Sequence, residues 1–483
     1  MSKNNKSTLS LGFRLLALTT LTLTVLNYFP AAAQEPNVKP PVEAHINNRD
    51  DDRGVNVGVP IMLTPKKNVV PTSAPATAPT VVPKDGKDKS KSNALYPSFP
   101  PCASWIDEQV KPRASVLCIH GLGLNTDAFN SLGVRLAKRG IATYAIDVRG
   151  FGSWLQNKGH EQLNFKATLG DIGVTAQAIK AANQLPLFIL GESMGGAIAI
   201  QAAAEYQAEL NGLISSAPSG ERFDTTGTDL KVAVEFMTGP KKQFDIGKSI
   251  IDQATNNQEL RHIWQTDPLN RQDLSADELM QFQAFMNKSP DAAKKIDSVP
   301  VLVLQGTLDK LVKPEGTWQI FNTVASKQKT FIALPSEHLV LEDGQTKTTK
   351  YDERAALHVA SWMFNSQEAP SAAAAPATGE APKIATTGTP QILIFEAPWC
   401  HQCDETTALA GEAANRYGSK VILRRINVDK AAADSADSEL ITRLQIGPLP
   451  TYVFVGADGT VTSTLIGRSG SANFLSAAAE IAL

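Results

Sequence analysis

The sequence predicts an α/β chain: a mostly parallel sheet covered by helices on both faces, then a second and smaller α/β domain. Three observations carry this reading. Short apolar runs alternate with helical patterns between about residues 114 and 306, as in parallel sheets buried on both faces. The alternation resumes after a break in composition at residues 367–388. The length, 483 residues with 42% hydrophobic content, exceeds one ordinary domain and can bury at least one large core.

The N-terminus comes first. Lys3, Lys6 and Arg14 precede an apolar run from Leu15 to Phe29, followed by Ala31, Ala32 and Ala33. This reads as a signal peptide over residues 1–33 and an exported protein, periplasmic or extracellular. An N-terminal membrane anchor is the alternative, but threonines and Asn27 dilute the run below the ~20 strongly apolar residues of a good spanning helix. Residues 34–98, rich in Pro, Ala, Thr, Lys and Asp, cannot bury enough surface to offset their ordering entropy and read as a disordered tether. The formal charge of −2, with 19% charged residues, lacks the basic excess of a nucleic-acid binder, which excludes that partner class.

Residues 99–366 form the larger domain. Its strand candidates are SVLCIHG, ATYAIDVRG, LFILGESMGG, LNGLISSAP and VPVLVLQG, with a further strand-like run KTFIAL. Residues of about 219–298 read as polar helices and are expected to form a cap over the sheet edge. Gly247-Lys248-Ser249 there is no phosphate loop, because position 242 is Lys242 where that pattern needs glycine. Residues 367–388, dominated by Ala, Pro, Thr and Gly, form a linker. Residues 389–483 then read as ILIFEAP, a helix from about Asp404 to Tyr417, VILRRINVD, a second helix, two strands joined at Asp458-Gly459 by an expected two-residue turn, and a terminal helix.

Chemistry is concentrated at two places. Gly191-Glu192-Ser193-Met194-Gly195 follows the strand LFIL and precedes a helix-forming run, the context a nucleophile elbow needs. The competing reading is a serine that merely caps that helix. A serine hydroxyl needs a base, and the base an acid to orient it. Asp309, just beyond VPVLVLQG, and His338, in LPSEHLVLED, follow in the expected order. The other histidines fit worse: His45 lies in the tether, His120 precedes the elbow, His160 and His262 follow no strand, and His358 falls in a terminal helix. Two backbone N–H groups, of Met194 and of Leu122 in His120-Gly121-Leu122-Gly123, are the candidate oxyanion donors, with His120 bracing its loop.

The pieces HGLG, DVRGFGSW from Asp147, GESMGG, QGTLDKLV and EHLVLED, spread from His120 to Asp343, resemble the monoacylglycerol lipase and lysophospholipase branch of the α/β-hydrolases, also called the serine aminopeptidase family. The resemblance implies an α/β-hydrolase fold with a helical cap and hydrolysis of a carboxylic ester, commonly of a single fatty-acyl chain, through an acyl-Ser193 intermediate. The expected partner is an acyl-ester small molecule or lipid, with transient contact to a membrane surface. No cofactor or metal is implied. A peptidase of the same family is an alternative.

The second place is Cys400-His401-Gln402-Cys403, at the end of ILIFEAP and ahead of a helix, where unpaired N–H groups favour a thiolate. Cys400 is expected to attack and Cys403 to resolve. Half a zinc site is the competing reading, and no second ligand pair stands at metal spacing. The region resembles thioredoxin-like proteins through this motif and Leu449-Pro450-Thr451, which implies a cis-proline at Pro450 beside the disulfide and a protein thiol or disulfide partner. Ile394 stands where that family carries a buried acid, so oxidation, reduction and isomerisation all stay open. A thiol–disulfide oxidoreductase whose hydrolase domain only binds partners is the other functional reading. Cys102 and Cys118 are expected either to pair across neighbouring strands or to be buried thiols.

Overall fold

Near-continuous apolar runs become the strands of a seven-stranded sheet, because a strand buried on both faces has no polar side to alternate with. A short edge strand β1 (Cys102–Trp105) precedes β2 (Ala114–Ile119), helix α1 (Asn130–Ala137), β3 (Ile141–Ile146), helix α2 (Phe165–Asn183), β4 (Leu187–Glu192), helix α3 (Met194–Tyr206) and β5 (Gly212–Ser216). The cap follows, with a two-stranded ribbon of β6 (Gln243–Asp245) and β7 (Asp273–Ser275) around helices α4 (Gly247–Ala254) and α5 (Gln258–Thr266), then α6 (Ala276–Met286) and α7 (Ser289–Ala293). The sheet resumes with β8 (Val301–Gly306), α8 (Pro314–Thr323) and β9 (Lys329–Leu334), and α9 (Tyr351–Gln367) closes this part. The strand order is β1-β3-β2-β4-β5-β8-β9, all parallel except β1, which runs antiparallel to β3.

The computed structural model describes residues 99–483 apart from 219–238, 240, 342–350, 368–382, 385, 387, 432–434 and 483. The expected signal peptide and tether, the start of the expected cap, most of the linker, and Glu342 and Asp343 of EHLVLED lie outside the described residues. Among the described residues no helix is long and apolar enough to cross a membrane.

Side chains on the two faces of the large sheet enter separate cores. Leu117, Ile119, Ile189 and Val303 pack with α2 and α3 on one face; Val116, Cys118, Leu190 and Leu302 pack with α1 and α9 on the other. Each fully buried Leu, Ile or Val contributes roughly 1.5–3 kcal/mol to holding the sheet together. This arrangement overturns the pairing of Cys102 with Cys118. The two cysteines sit on β1 and β2 with β3 between them and belong to opposite faces. Two strand spacings put their backbones about 9–10 Å apart, beyond the roughly 7 Å limit of a disulfide.

The C-terminal part forms a four-stranded sheet in the order β11-β10-β12-β13. Its elements are β10 (Gln391–Glu396), α10 (Thr406–Tyr417), β11 (Ile422–Asn427), α11 (Ala436–Arg443), β12 (Thr451–Val455), β13 (Val461–Ile466) and α12 (Ser471–Ala482). Strands β10 and β11 are parallel, and the other neighbours antiparallel. The expected hairpin is present, but its loop is longer than two residues. Gly459, at φ 83°, donates to the Gly456 carbonyl and the Asp458 carboxylate takes the Thr460 N–H, so five residues separate the strands.

The two sheets are joined by more than a linker. The Cys102 N–H donates to the Leu449 carbonyl at 2.6 Å and the Leu449 N–H to the Pro100 carbonyl at 2.9 Å. Further along β1, Ser104 donates to Arg468 and Arg468 to Cys102. The outer edge of β1 is therefore bonded to the C-terminal part, and Arg468 forms an ion pair with Asp127.

Candidate active site

The chain turns sharply from β4 into α3 at Ser193, whose φ of 57° and ψ of −119° lie where L-residues are strained. The flanking glycines permit the turn: a Cβ on Gly191 would sit 2.0 Å from the Gly195 carbonyl, and one on Gly195 would sit 1.9 Å from that of Ile119. The Ser193 N–H is anchored to the Ser216 carbonyl on β5 at 2.9 Å. Ser193 is thus more than a helix cap; its side chain makes no capping bond.

Ser193 Oγ lies 2.8 Å from His338 Nε2, and His338 Nδ1 lies 2.8 Å from Asp309 Oδ2. All three come from the carboxyl ends of the parallel strands β4, β8 and β9, where open α/β sheets gather functional groups. Asp309 Oδ1 accepts the Leu311 and Val312 N–H groups at 2.8 and 2.9 Å, while Oδ2 also accepts Gln305 Nε2 at 2.9 Å. Burial opposes the charge of Asp309, but His338 and these donors outweigh it and hold the carboxyl below its ordinary range. Burial would likewise push His338 down; the carboxylates of Asp309 and Glu192 win, so the imidazole titrates above its ordinary value.

Glu192 is a residue the sequence reading passed over. Fully buried at the centre of the elbow motif, it accepts Ser216 Oγ at 2.7 Å and the Leu341 N–H at 2.8 Å, tying β5 and the His338 loop to β4. An acidic residue directly after an apolar parallel strand was the available signal, since a buried carboxylate must have donors.

Met194 opens α3, so its N–H has no acceptor one turn earlier in the helix. Leu122 lies in a turn closed by the Leu124 N–H on the Gly121 carbonyl. His120 braces this turn: Nδ1 donates to the Gly121 carbonyl at 2.8 Å and Nε2 accepts the Val148 N–H at 3.0 Å. Burial pushes its pKa down to about 4, keeping it neutral. Beside it, the buried Asp147 carboxylate accepts the N–H groups of Thr126 and Ser153 at 2.9 and 2.8 Å.

The cap grips these loops. Ala254 at the end of α4 accepts the His338 N–H at 3.2 Å, and Arg271 forms a two-pronged pair with the buried Glu278 at 2.8 and 2.7 Å. The Arg271 N–H also donates to the Gly123 carbonyl at 2.8 Å. Leu124, Ile251, Leu260, Trp264 and Leu339 form one apolar cluster between cap and loops.

Cys400 and Cys403 are joined by a disulfide, and the Leu449–Pro450 peptide is cis. Pro398, Cys400 and Cys403 line a cleft of about 320 Å³ together with Glu396, Thr406 and Arg425. The expected helix starts later than Asp404: His401–Cys403 form a single 3-10 turn and α10 begins at Thr406. His401 pairs with Asp404 at 2.9 Å. Both cysteines are buried, because this turn faces the Asp147–Trp154 loop of the large sheet. Trp399 stacks on Trp154 with ring centres 4.9 Å apart, and the Arg149 guanidinium covers the Trp154 ring.

Sheet order, elbow and Ser–His–Asp alignment together define an α/β-hydrolase fold. Residues 110–343, just under half of the chain, match the family model described as serine aminopeptidase, S33. Among similar proteins, human monoglyceride lipase is 27% identical over 224 residues, 45% of this chain and 73% of its own. A phospholipase of Bacillus subtilis is 26% identical over 235 residues, 47% of this chain and 88% of its own. A soluble variant of monoglyceride lipase from Saccharomyces cerevisiae, solved with a substrate analogue, aligns with a TM-score of 0.48 at 20% identity, covering 58% of this chain and 97% of its own.

Proposed function

We propose that the protein is an exported serine hydrolase that cleaves carboxylic esters of single-acyl-chain lipids through an acyl-Ser193 intermediate. The observation that carries the reading is the unbroken relay Ser193 Oγ, His338, Asp309, with both links at 2.8 Å and the serine held on a strained turn. His338 takes the serine proton as Oγ attacks the ester carbonyl, and the imidazolium so formed is stabilised by Asp309. The N–H groups of Met194 and Leu122 receive the negative charge on the carbonyl oxygen. His338 then returns the proton to the leaving alcohol, and water repeats the sequence to release the acid. The names of the relatives, lipases and a phospholipase, favour an acyl-ester substrate. Export rests on the basic and apolar N-terminal sequence.

A second reading concerns the C-terminal part, taken as a thioredoxin-like thiol–disulfide site. It is supported by the Cys400–Cys403 disulfide and the cis-proline at Pro450.

The test is fluorophosphonate labelling of the full chain and of Ser193→Ala, with turnover of a chain-length series of p-nitrophenyl esters. Labelling and turnover that vanish in the variant are expected. Turnover retained by Ser193→Ala would defeat the nucleophile assignment; a native protein that does not label would defeat the hydrolase reading.

A further inference from the structure

We infer that Gln402, between the two cysteines of the C-terminal part, is a positioning residue for the ester site. The inference rests on the hydrolase reading above. Gln402 is completely buried, and its entire amide is spent on the larger sheet's loops. Its Nε2 donates to Thr126 Oγ1 at 2.6 Å and to Asp147 Oδ2 at 3.2 Å, while its Oε1 accepts Ser153 Oγ at 2.6 Å. Ser153 Oγ in turn accepts the His401 N–H at 3.0 Å, so backbone and side chain of the C-x-x-C turn dock at one point.

That point lies beneath the oxyanion loop. Residues 120–126 leave β2 and are held at three places. His120 is tied to Val148, Gly123 and Asn125 are tied to the cap through Arg271, Asp267 and Asn270, and Thr126 is tied to Asp147. Gln402 completes the last of these. It bonds both the Thr126 hydroxyl and the carboxylate that holds the Thr126 backbone, so it fixes the far end of the segment carrying Leu122. An amide is the group this site needs, since it offers donors to a carboxylate and a hydroxyl and an acceptor to a second hydroxyl. A glutamate would set a second buried carboxylate against Asp147. A methionine would keep the volume and lose every bond.

Because a preorganised donor loses its effect when it shifts by a fraction of an ångström, Gln402→Met is expected to lower kcat roughly tenfold with KM within about twofold. Gln402→Glu is expected to lower it further. Ser153→Ala leaves every residue of the C-x-x-C turn in place but removes the two bonds its hydroxyl makes there, to Gln402 Oε1 and from the His401 N–H, and should show a smaller loss that is not additive with Gln402→Met. The experiment measures kcat and KM on a p-nitrophenyl ester for the full-length protein and these variants, with hydrogen exchange of the amides of residues 121–126. Faster exchange and a selective fall in kcat support the assignment. Unchanged kcat in Gln402→Met and Ser153→Ala, or unchanged exchange in both, overturns it. Exchange reads the loop directly, so a protein with no esterase activity but a loosened loop would sink the hydrolase reading, and with it the catalytic part of this one, while leaving the docking role of Gln402 standing.

Discussion

Asp309→Asn separates the orienting role of the acid from its structural one. In the native site the two carboxylate oxygens take four donors, two of them backbone N–H groups on Oδ1. An asparagine oxygen can keep those two. The amide nitrogen then faces Gln305 and His338. Gln305 can turn its amide over to present Oε1, which has no hydrogen-bond partner among the described residues, at the cost of the 3.0 Å bond from its Nε2 to the Gly306 carbonyl. Folding should therefore cost only about 1 kcal/mol. His338 cannot adapt without penalty: facing a donor, Nδ1 must accept, the proton moves to Nε2, and the group pointing at Ser193 is no longer a base. The expected loss is roughly 10⁴-fold in kcat/KM, equivalent to about 5.5 kcal/mol of transition-state stabilisation. The pH profile adds a second signature. His338 must be neutral to act, and its pKa is raised chiefly by Asp309 against the opposing effect of burial, so native activity rises with pH to a midpoint above the ordinary histidine value. Without that charge, burial dominates and the midpoint of the residual activity moves to lower pH. Initial rates on a p-nitrophenyl ester from about pH 5 to about pH 9, with thermal melts at each end, test both. A residual rate within tenfold of native, or an unmoved midpoint, would refute the reasoning.

Two further outcomes follow from the geometry. Ser193→Gly should abolish turnover yet stabilise the fold by about 1 kcal/mol, because glycine tolerates the positive φ that serine endures; a lower urea midpoint than native would contradict this. Arg271→Ala should destabilise by about 3 kcal/mol, because it strands the buried Glu278 carboxylate. Burial opposes that carboxylate's charge, but Arg271 and the Ser275 and Leu163 N–H groups hold its pKa below the ordinary value. The stabilisation is thus present above the ordinary glutamate pKa and lost as pH falls through the folded one, so native and variant denaturation midpoints should converge in acid. Midpoints that stay apart would exclude the pair as the cause.

The main parallel strands were legible because burial on both faces leaves a continuous apolar signature, as in LFIL and VPVLVLQG. Ser193, Asp309 and His338 were legible because each follows such a strand, and chain order then suffices to pair them. Strand β1 was not, since four residues after Pro100 and Pro101 carry too little pattern, and its pairing with β3 is set only when the sheet assembles. The β6–β7 ribbon is shorter still. Gln402 was invisible for a different reason: a glutamine between two cysteines reads as solvent-exposed, and only contacts to residues some 250 positions away bury it. Cys102 and Cys118 misled because neighbouring in sequence order is not neighbouring in the sheet.

The bonds from β1 to Leu449 and Arg468 bear on what the margin of the larger sheet presents to other chains. A sheet margin with bare N–H and C=O groups is a template on which other chains can add strands. Here the margin at Cys102–Trp105 is capped from within the same polypeptide, and the Trp154 face beside it is covered by Trp399. A protein ending after α9 would present both, a ready seam for self-association. The C-terminal part thus covers one margin of the larger sheet whatever its cysteines do.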